Sequence, residues 1–238
     1  KIVVCIKQVP DTKGGVQFNP DGTLNRAAML AIMNPDDKAG LEAALRLKEQ
    51  YGAEVTVLTM GLPKAEEVLR EAMAMGADNG ILVTDRVLGG ADTWATSQTI
   101  AGALRNLDYD LIITGRQAID GDTAQVGPEI AEHMDLPHVT LATAVEMADG
   151  KLHVTRDTDE GHDLVEVSLP ALVTVTKTTY DPRYPTIKSK MAANRAVIEE
   201  ITNSDPDMVC EPERLGLNGS PTKVKKTFTP VQTKDAVI

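Results

Sequence analysis

The sequence predicts an α/β protein: a doubly wound, mostly parallel sheet with an antiparallel extension. Three observations carry this reading. Short apolar runs alternate with helical periodicity from the start to about residue 145. The first run, Ile2-Val3-Val4-Cys5-Ile6, is apolar throughout, as strands buried on both faces are. Beyond Leu136 the pattern shifts to strand-like segments, the first two joined by the hairpin signal Ala148-Asp149-Gly150.

The elements follow in order. Residues 2–6 form the first strand. Residues 7–34 are too long for a casual connection, so this segment is either functional or contains a small hairpin turning at Asn19-Pro20-Asp21-Gly22. A helix opens at Asn34-Pro35-Asp36-Asp37, with Asn34 as N-cap and Pro35 in the first helical position, and Gly52 closes it. Residues 54–60 are the second strand, 63–75 the next helix up to Gly76, and 81–84 the third strand. Residues 85–93 lead into a helix over 93–107, and 110–114 form the fourth strand. Strands separated by helices imply right-handed crossovers in one parallel sheet. Four more strands are expected at 139–147, 151–156, 164–168 and 172–176, with a helix within 191–201; the tail from Asp205 shows no core of its own.

Composition narrows the function. A net charge of -11 and only 3% aromatic residues argue against nucleic acid and against an anionic membrane surface. No apolar run approaches the roughly 20 residues that span a bilayer, and the opening residues read as a strand rather than a signal peptide. The two cysteines, Cys5 and Cys210, form no Cys-x-x-Cys pair, which fits a reducing cytoplasm without disulfide or metal cluster. The four histidines lack ligand spacing, so no metal site is expected. Neither common phosphate-binding fingerprint and no nucleophile elbow is present, so no catalytic residue is assigned.

One stretch has the character of a ligand loop. After the fourth strand come Gly115, Arg116, Gln117, Ala118, Ile119, Asp120, Gly121, Asp122, Thr123, Ala124, Gln125, Val126, Gly127 and Pro128, before a helical pattern over 129–134. A Gly-containing loop between a parallel strand's carboxyl end and a helix start suits phosphate, because the first helical amides are unpaired. The same residue types equally fit an ordinary αβ connection capped by Asp122. Strand ends converge on one edge in any such fold, with or without a ligand.

Four motifs together point further. Val4-Cys5-Ile6-Lys7-Gln8-Val9-Pro10-Asp11, Met33-Asn34-Pro35-Asp36-Asp37, Ala74-Met75-Gly76-Ala77-Asp78 and Gly115-Arg116-Gln117-Ala118-Ile119-Asp120 resemble the β subunit of electron-transfer flavoprotein, collinearly from Lys1 to about Thr229. The resemblance implies an adenine-nucleotide-binding domain over 1–180, and a docking loop with a C-terminal arm embracing an α subunit over 181–238. It implies nucleotide contacts at Cys5, Asn34, Pro35, Asp37 and Met60 as well as residues 115–127. Simple members hold AMP here and tend to be bulkier and more acidic after the Ile-Asp pair. The small Gly121 and Ala124, with Asp92, Thr93 and Thr96 beside Gly89-Gly90, look like the electron-bifurcating type, which holds FAD. In that type NADH delivers a hydride to the FAD. One electron then goes to the α-subunit FAD, and on to an acyl-CoA dehydrogenase, a lactate dehydrogenase or another flavin dehydrogenase. The other goes to ferredoxin.

The resemblance also marks a partner surface. Ile187 stands where the family presents an exposed apolar anchor, ringed here by Arg183, Lys188 and Lys190. Without the resemblance, these residues read as a basic loop with Ile187 tucked into the core. Asp157 matches an acid that contacts the mobile flavin domain, though Asp reaches less far than the expected Glu. Many members carry a longer tail with a final helix, so part of the grip on the α subunit is expected to be missing here. Two other readings stay open: a simple carrier holding AMP, and a nucleotide-binding regulatory module without redox role.

Overall fold

The computed structural model describes residues 1–11, 30–206, 208 and 210–225. In chain order the strands and helices are β1 (Ile2–Cys5), β2 (Gln8–Pro10), β3 (Ala31–Met33), α1 (Pro35–Tyr51), β4 (Val55–Met60), α2 (Glu66–Met75), β5 (Asn79–Val83), α3 (Thr93–Leu104), β6 (Leu111–Gly115), α4 (Val126–His133), β7 (His138–Ala148), β8 (Lys151–Thr158), β9 (Gly161–Val167), β10 (Ala171–Val175), α5 (Ile187–Ala193), β11 (Glu199–Ile201) and the single turn α6 (Gly216–Gly219).

Nine of the described strands form one sheet in the order β11-β5-β4-β1-β6-β10-β7-β8-β9. Pairing is parallel from β11 to β7 and antiparallel only in β7-β8-β9. The fold is therefore the doubly wound α/β type with an antiparallel edge, as the alternating pattern predicts. Local patterns do not show that β10 returns to lie between β6 and β7; strand order is a tertiary property. β2 and β3 pair antiparallel at the base of the long segment after β1; the Asn19–Gly22 turn lies outside the described residues.

Alternate side chains of β1 serve opposite faces, following the period-two geometry of a strand. Ile2, Val4 and Ile6 pack with α1 and α2, whereas Val3 and Cys5 pack with α3 and α4. Strand order reverses between β1 and β6, because the chain steps outward from β1 through β4 to β5 and then crosses back. Ligand crevices in open α/β sheets open at this switch point, beyond the strands' carboxyl ends.

Helix boundaries have local causes. α1 begins with Asn34 at the N-cap and Pro35 inside the first turn, and Gly52 ends it in the left-handed region (φ 72), its amide bonded to the Lys48 carbonyl. α4 begins at Val126, three residues before the periodic pattern suggests. Pro128 needs no acceptor in a first turn, and Gly127 lets the helix lie against the sheet: a Cβ there would be 2.7 Å from Thr174 Cγ2 and 2.8 Å from Thr114 Oγ1.

The chain beyond Tyr180 departs from expectation in two places. The helix expected within 191–201 ends at Ala193, and 199–201 instead form β11, which pairs with β5. β5 would otherwise be an edge with open hydrogen-bonding groups. The tail from Asp205 has more core than its composition suggests: Met208 and Leu215 are buried with the α3 face.

Ile113 is fully buried in β6, and a Cβ on Gly40 of α1 would already stand 3.0 Å from its Cγ2. Ile113→Ala leaves a cavity at the sheet centre, and we expect it to cost about 2–5 kcal/mol. Urea unfolding followed by circular dichroism checks this; an unchanged midpoint would show that the site collapses without loss.

Candidate functional site

A cleft of about 410 Å³ opens over the carboxyl ends of β1, β4 and β6. Its floor is Cys5, Ile6, Met60, Thr114 and Gly115, one wall is the residues before and within α3, and the other is the loop from β6 into α4. Of the residues singled out in the sequence, Cys5, Asp37, Met60, Asp92, Thr93, Thr96, residues 115–118 and residues 121–127 line it. Asn34, Pro35, Ile119 and Asp120 do not. The cleft also takes Lys7, Leu88, Gly90, Ala91, Ile100 and Ile130. Gly90 and Ala91 belong to the Gly-Gly stretch before Asp92 that the resemblance singles out; Ile100 and Ile130 read simply as core.

The start of α1 organises the loop. Asn34 is completely buried and makes no side-chain cap to its own helix. Its Nδ2 donates to the Gln117 carbonyl at 2.8 Å and its Oδ1 accepts from the Ile119 amide at 3.1 Å. Asp37 accepts from the Lys7 amide at 2.8 Å and from the Gly115 amide at 3.1 Å, joining the ends of β1 and β6. A Cβ on Gly115 would collide with the Asp37 carboxylate, so glycine is required there.

The loop's mouth is held by two ion pairs and one amide–carboxylate hydrogen bond. Lys7 Nζ donates to Asp120 Oδ1 at 2.7 Å, Gln117 Nε2 donates to Asp122 Oδ1 at 2.8 Å, and Arg116 Nε lies 3.3 Å from Asp36 Oδ2. Asp122 and Ala124 have φ of 50° and 54°, a conformation that costs L-residues on the order of 1–2 kcal/mol and concentrates at ligand sites. Asp122 is not the cap of α4; Gln125 takes that position. None of the amides from Thr123 to Gly127 has an acceptor among the described residues. Five successive amides without a protein acceptor at a helix start have the chemistry that suits an anionic oxygen.

The opposite wall is tied to the segment around Thr222. Asp92 caps α3 by accepting from the Ala95 amide at 3.0 Å, and its other oxygen accepts from the Thr222 amide and hydroxyl at 2.9 and 2.7 Å. Leu217 N donates to the Gly89 carbonyl, and Asp92 N donates to Ser220 Oγ. Thr93 reaches across to α4, donating to Glu129 Oε1 at 3.2 Å. Burial pushes the Cys5 thiol up to about 12, so it is an uncharged wall and no nucleophile.

A family model described as "Electron transfer flavoprotein domain" matches residues 21–206. The chain belongs to the electron transfer flavoprotein family. It is 51% identical over 229 residues to "Electron transfer flavoprotein subunit beta" of Clostridium acetobutylicum, covering 96% of this chain and 87% of that protein. It is 47% identical over 238 residues to "Acryloyl-CoA reductase electron transfer subunit gamma" of Anaerotignum propionicum (98% and 89% covered). It is also 47% identical over 233 residues to "Caffeyl-CoA reductase-Etf complex subunit CarD" of Acetobacterium woodii (97% and 88% covered).

Away from the cleft, this electron transfer flavoprotein chain presents Tyr184 at 90% and Ile187 at 82% exposure, so Ile187 is not tucked into the core. Lys188 is exposed beside it. Arg183 turns inward, donating to Glu42 and Glu49 of α1. Asp157 sits near the β8–β9 turn, its Oδ1 2.8 Å from His162 Nδ1. Among the described residues no helix is long and apolar enough to cross a membrane.

Burial raises the Asp37 carboxyl from 3.8 to about 7, against the amides that pull it down. The folded protein thus keeps a proton that the unfolded chain releases from about pH 4 upward, so this group's contribution declines as pH rises from 4 to 7. Burial raises Asp36 and Glu129 in the same direction. We expect Asp37→Asn to flatten the fall in unfolding free energy over this window by an amount on the order of a few kcal/mol. Parallel pH-dependent urea titrations check it; equal slopes would refute the assignment.

Proposed function

We propose that this chain is the β subunit of an electron-bifurcating electron transfer flavoprotein in the cytoplasm. It holds FAD in the cleft, takes electrons from NADH, and passes them to the FAD of an α subunit and to ferredoxin. From the α subunit they reach a flavin dehydrogenase; the acryloyl-CoA and caffeyl-CoA reductase names of two relatives favour one acting on CoA esters. Residues 1–180 carry the nucleotide, and 181–238 the docking loop and arm.

The observation that carries the reading is the run of free amides from Thr123 to Gly127 beside an open Gly121. A Cβ on Gly121 would meet nothing within 4 Å beyond its chain neighbours. The amides suit a pyrophosphate. The space at Gly121 suits a ligand longer than a mononucleotide. Met60, Leu88 and Ile100 supply an apolar surface that excludes water, and the Thr93 and Thr96 hydroxyls supply polar contacts. Bound FAD would supply hydride acceptance and one-electron transfer; the chain supplies position and field. In this reading no side chain is needed as acid or base.

Nucleotides released from the purified heterodimer decide between cofactors: we expect two FAD per heterodimer, and one FAD with one AMP would overturn the reading. The same analysis tests the loop. Because Gly121 has open space and no positive φ, Gly121→Val should shift stability by no more than about 0.5 kcal/mol. Its side chain would enter the cleft and weaken FAD retention about tenfold. Full retention would place the ligand elsewhere.

A further inference from the structure

We infer that Glu42 is a positioning residue for dehydrogenase docking: from inside α1 it fixes Arg183, and through Arg183 the exposed Tyr184 and Ile187. This rests on the reading above, in which Ile187 is the docking anchor.

Glu42 is almost wholly buried, yet it is a carboxylate on a helix whose neighbours are alanine and leucine. A buried charge is costly unless paired and hydrogen-bonded, and an apolar residue would serve packing as well. Glu42 has one set of partners that explains it. Its Oε2 accepts from the Arg183 amide at 3.0 Å and from Arg183 Nε at 2.9 Å, and its Oε1 accepts from Arg183 Nη2 at 2.9 Å. Arg46 Nε lies 3.6 Å from the same Oε1. Glu49, two turns along α1, takes the outer face of the guanidinium through Nη1 and Nη2. The planar fork is thus engaged on both edges, and the backbone of residue 183 is held as well.

The residues around Arg183 are irregular; Pro182 and Pro185 restrict their own φ angles, and the contacts to Glu42 and Glu49 fix Arg183 between them. Just before them, Tyr180 lies under Arg46, whose Cζ is 4.0 Å from the ring centroid. Just after them, Thr186 and Ser189 form a capping box that starts α5. At the other end of α5, Arg70 of α2 donates to the Ala193 and Ala196 carbonyls. Ile187 therefore stands on a short helix fastened at each side by an arginine. An apolar anchor held out in water by its own scaffold needs no ordering on contact, which is how preorganisation strengthens docking.

The test uses the heterodimer with both cofactors and a purified acyl-CoA dehydrogenase as the probe. Glu42→Gln should raise the KM for the dehydrogenase about 3–10-fold, with kcat within about twofold, since only the docking surface loosens. Arg183→Lys keeps the charge but loses the fork and should act in the same direction. Limited trypsinolysis gives a second readout: in Glu42→Gln, cleavage after Arg183, Lys188 and Lys190 should quicken about tenfold relative to other sites. Unchanged KM and unchanged cleavage overturn the inference. Cleavage that quickens evenly along the chain also overturns it, because Glu42 then acts on global stability. A lower KM in Glu42→Gln overturns it too, since a released Arg183 would then be a direct partner contact. Ile187→Ala is run alongside. If it leaves the KM unchanged, the docking reading itself fails; if it raises the KM and Glu42→Gln does not, the positioning role alone fails.

Discussion

The cleft depends on two polar side chains at the start of α1. Residues 115–122 carry no regular structure beyond β6, and fixing an irregular backbone costs roughly 1–2 kcal/mol per residue in entropy. Asn34 meets that cost locally by offering one donor and one acceptor to Gln117 and Ile119. An amide side chain presents a donor and an acceptor on two separate atoms, which is what reaching Gln117 and Ile119 together requires. Asp37 closes the base by binding the amides of Lys7 and Gly115, so the ends of β1 and β6 cannot drift apart. With both ends held, the chain from Asp122 to Ala124 can remain in a conformation that L-residues rarely adopt, and the following amides stay turned away from any protein acceptor among the described residues.

The same helix serves the docking loop. Asn34 and Asp37 lie in or beside its first turn, and Glu42 and Glu49 lie further along it and face the 180s. These are all polar side chains on a helix otherwise packed through Leu41, Ala44 and Leu45. A helix is stiff over this length, so the loop after β6 and the segment around Arg183 share one rigid reference. That arrangement sets their relative position; it does not by itself make one site respond to the other, which would require two alternative states of α1.

Much of this was legible in the sequence, and the limits have a physical cause. Periodicity found β1, β4, β5 and β6 and the helices between them, because each buries a face set by local geometry, but it missed the short parallel strand β11. The Asn34-Pro35 helix start was legible too. The destination of the Asn34 side chain was not, since its partners lie 83 and 85 positions away. Arg183 and Glu42 are likewise 141 positions apart, and residue types alone left Arg183 looking like a surface cation. The insertion of β10 beside β6 escaped for the same reason as every strand order. The tail after Asp205 was misjudged because two apolar residues, Met208 and Leu215, are enough to dock a segment when its backbone also finds partners.

Those backbone partners bear on how an α subunit would engage this chain. The segment around α6 lies directly on the loop that walls the cleft. A Cβ on Gly216 would strike the Val87 carbonyl, and Gly90 faces Leu217. Asp92 belongs to both, capping α3 with one oxygen and holding Thr222 with the other. Burial works to raise its carboxyl, but these donors outweigh it and hold the group below its usual value, so it remains charged and accepting at neutral pH. One carboxylate thus links two segments, the start of α3 and the residues after α6. The residues leading toward the arm and the wall from Gly89 to Thr93 are therefore tied to each other through Asp92, Ser220 and Leu217. A partner that engaged the chain near Thr222 would therefore also bear on one wall of the cleft.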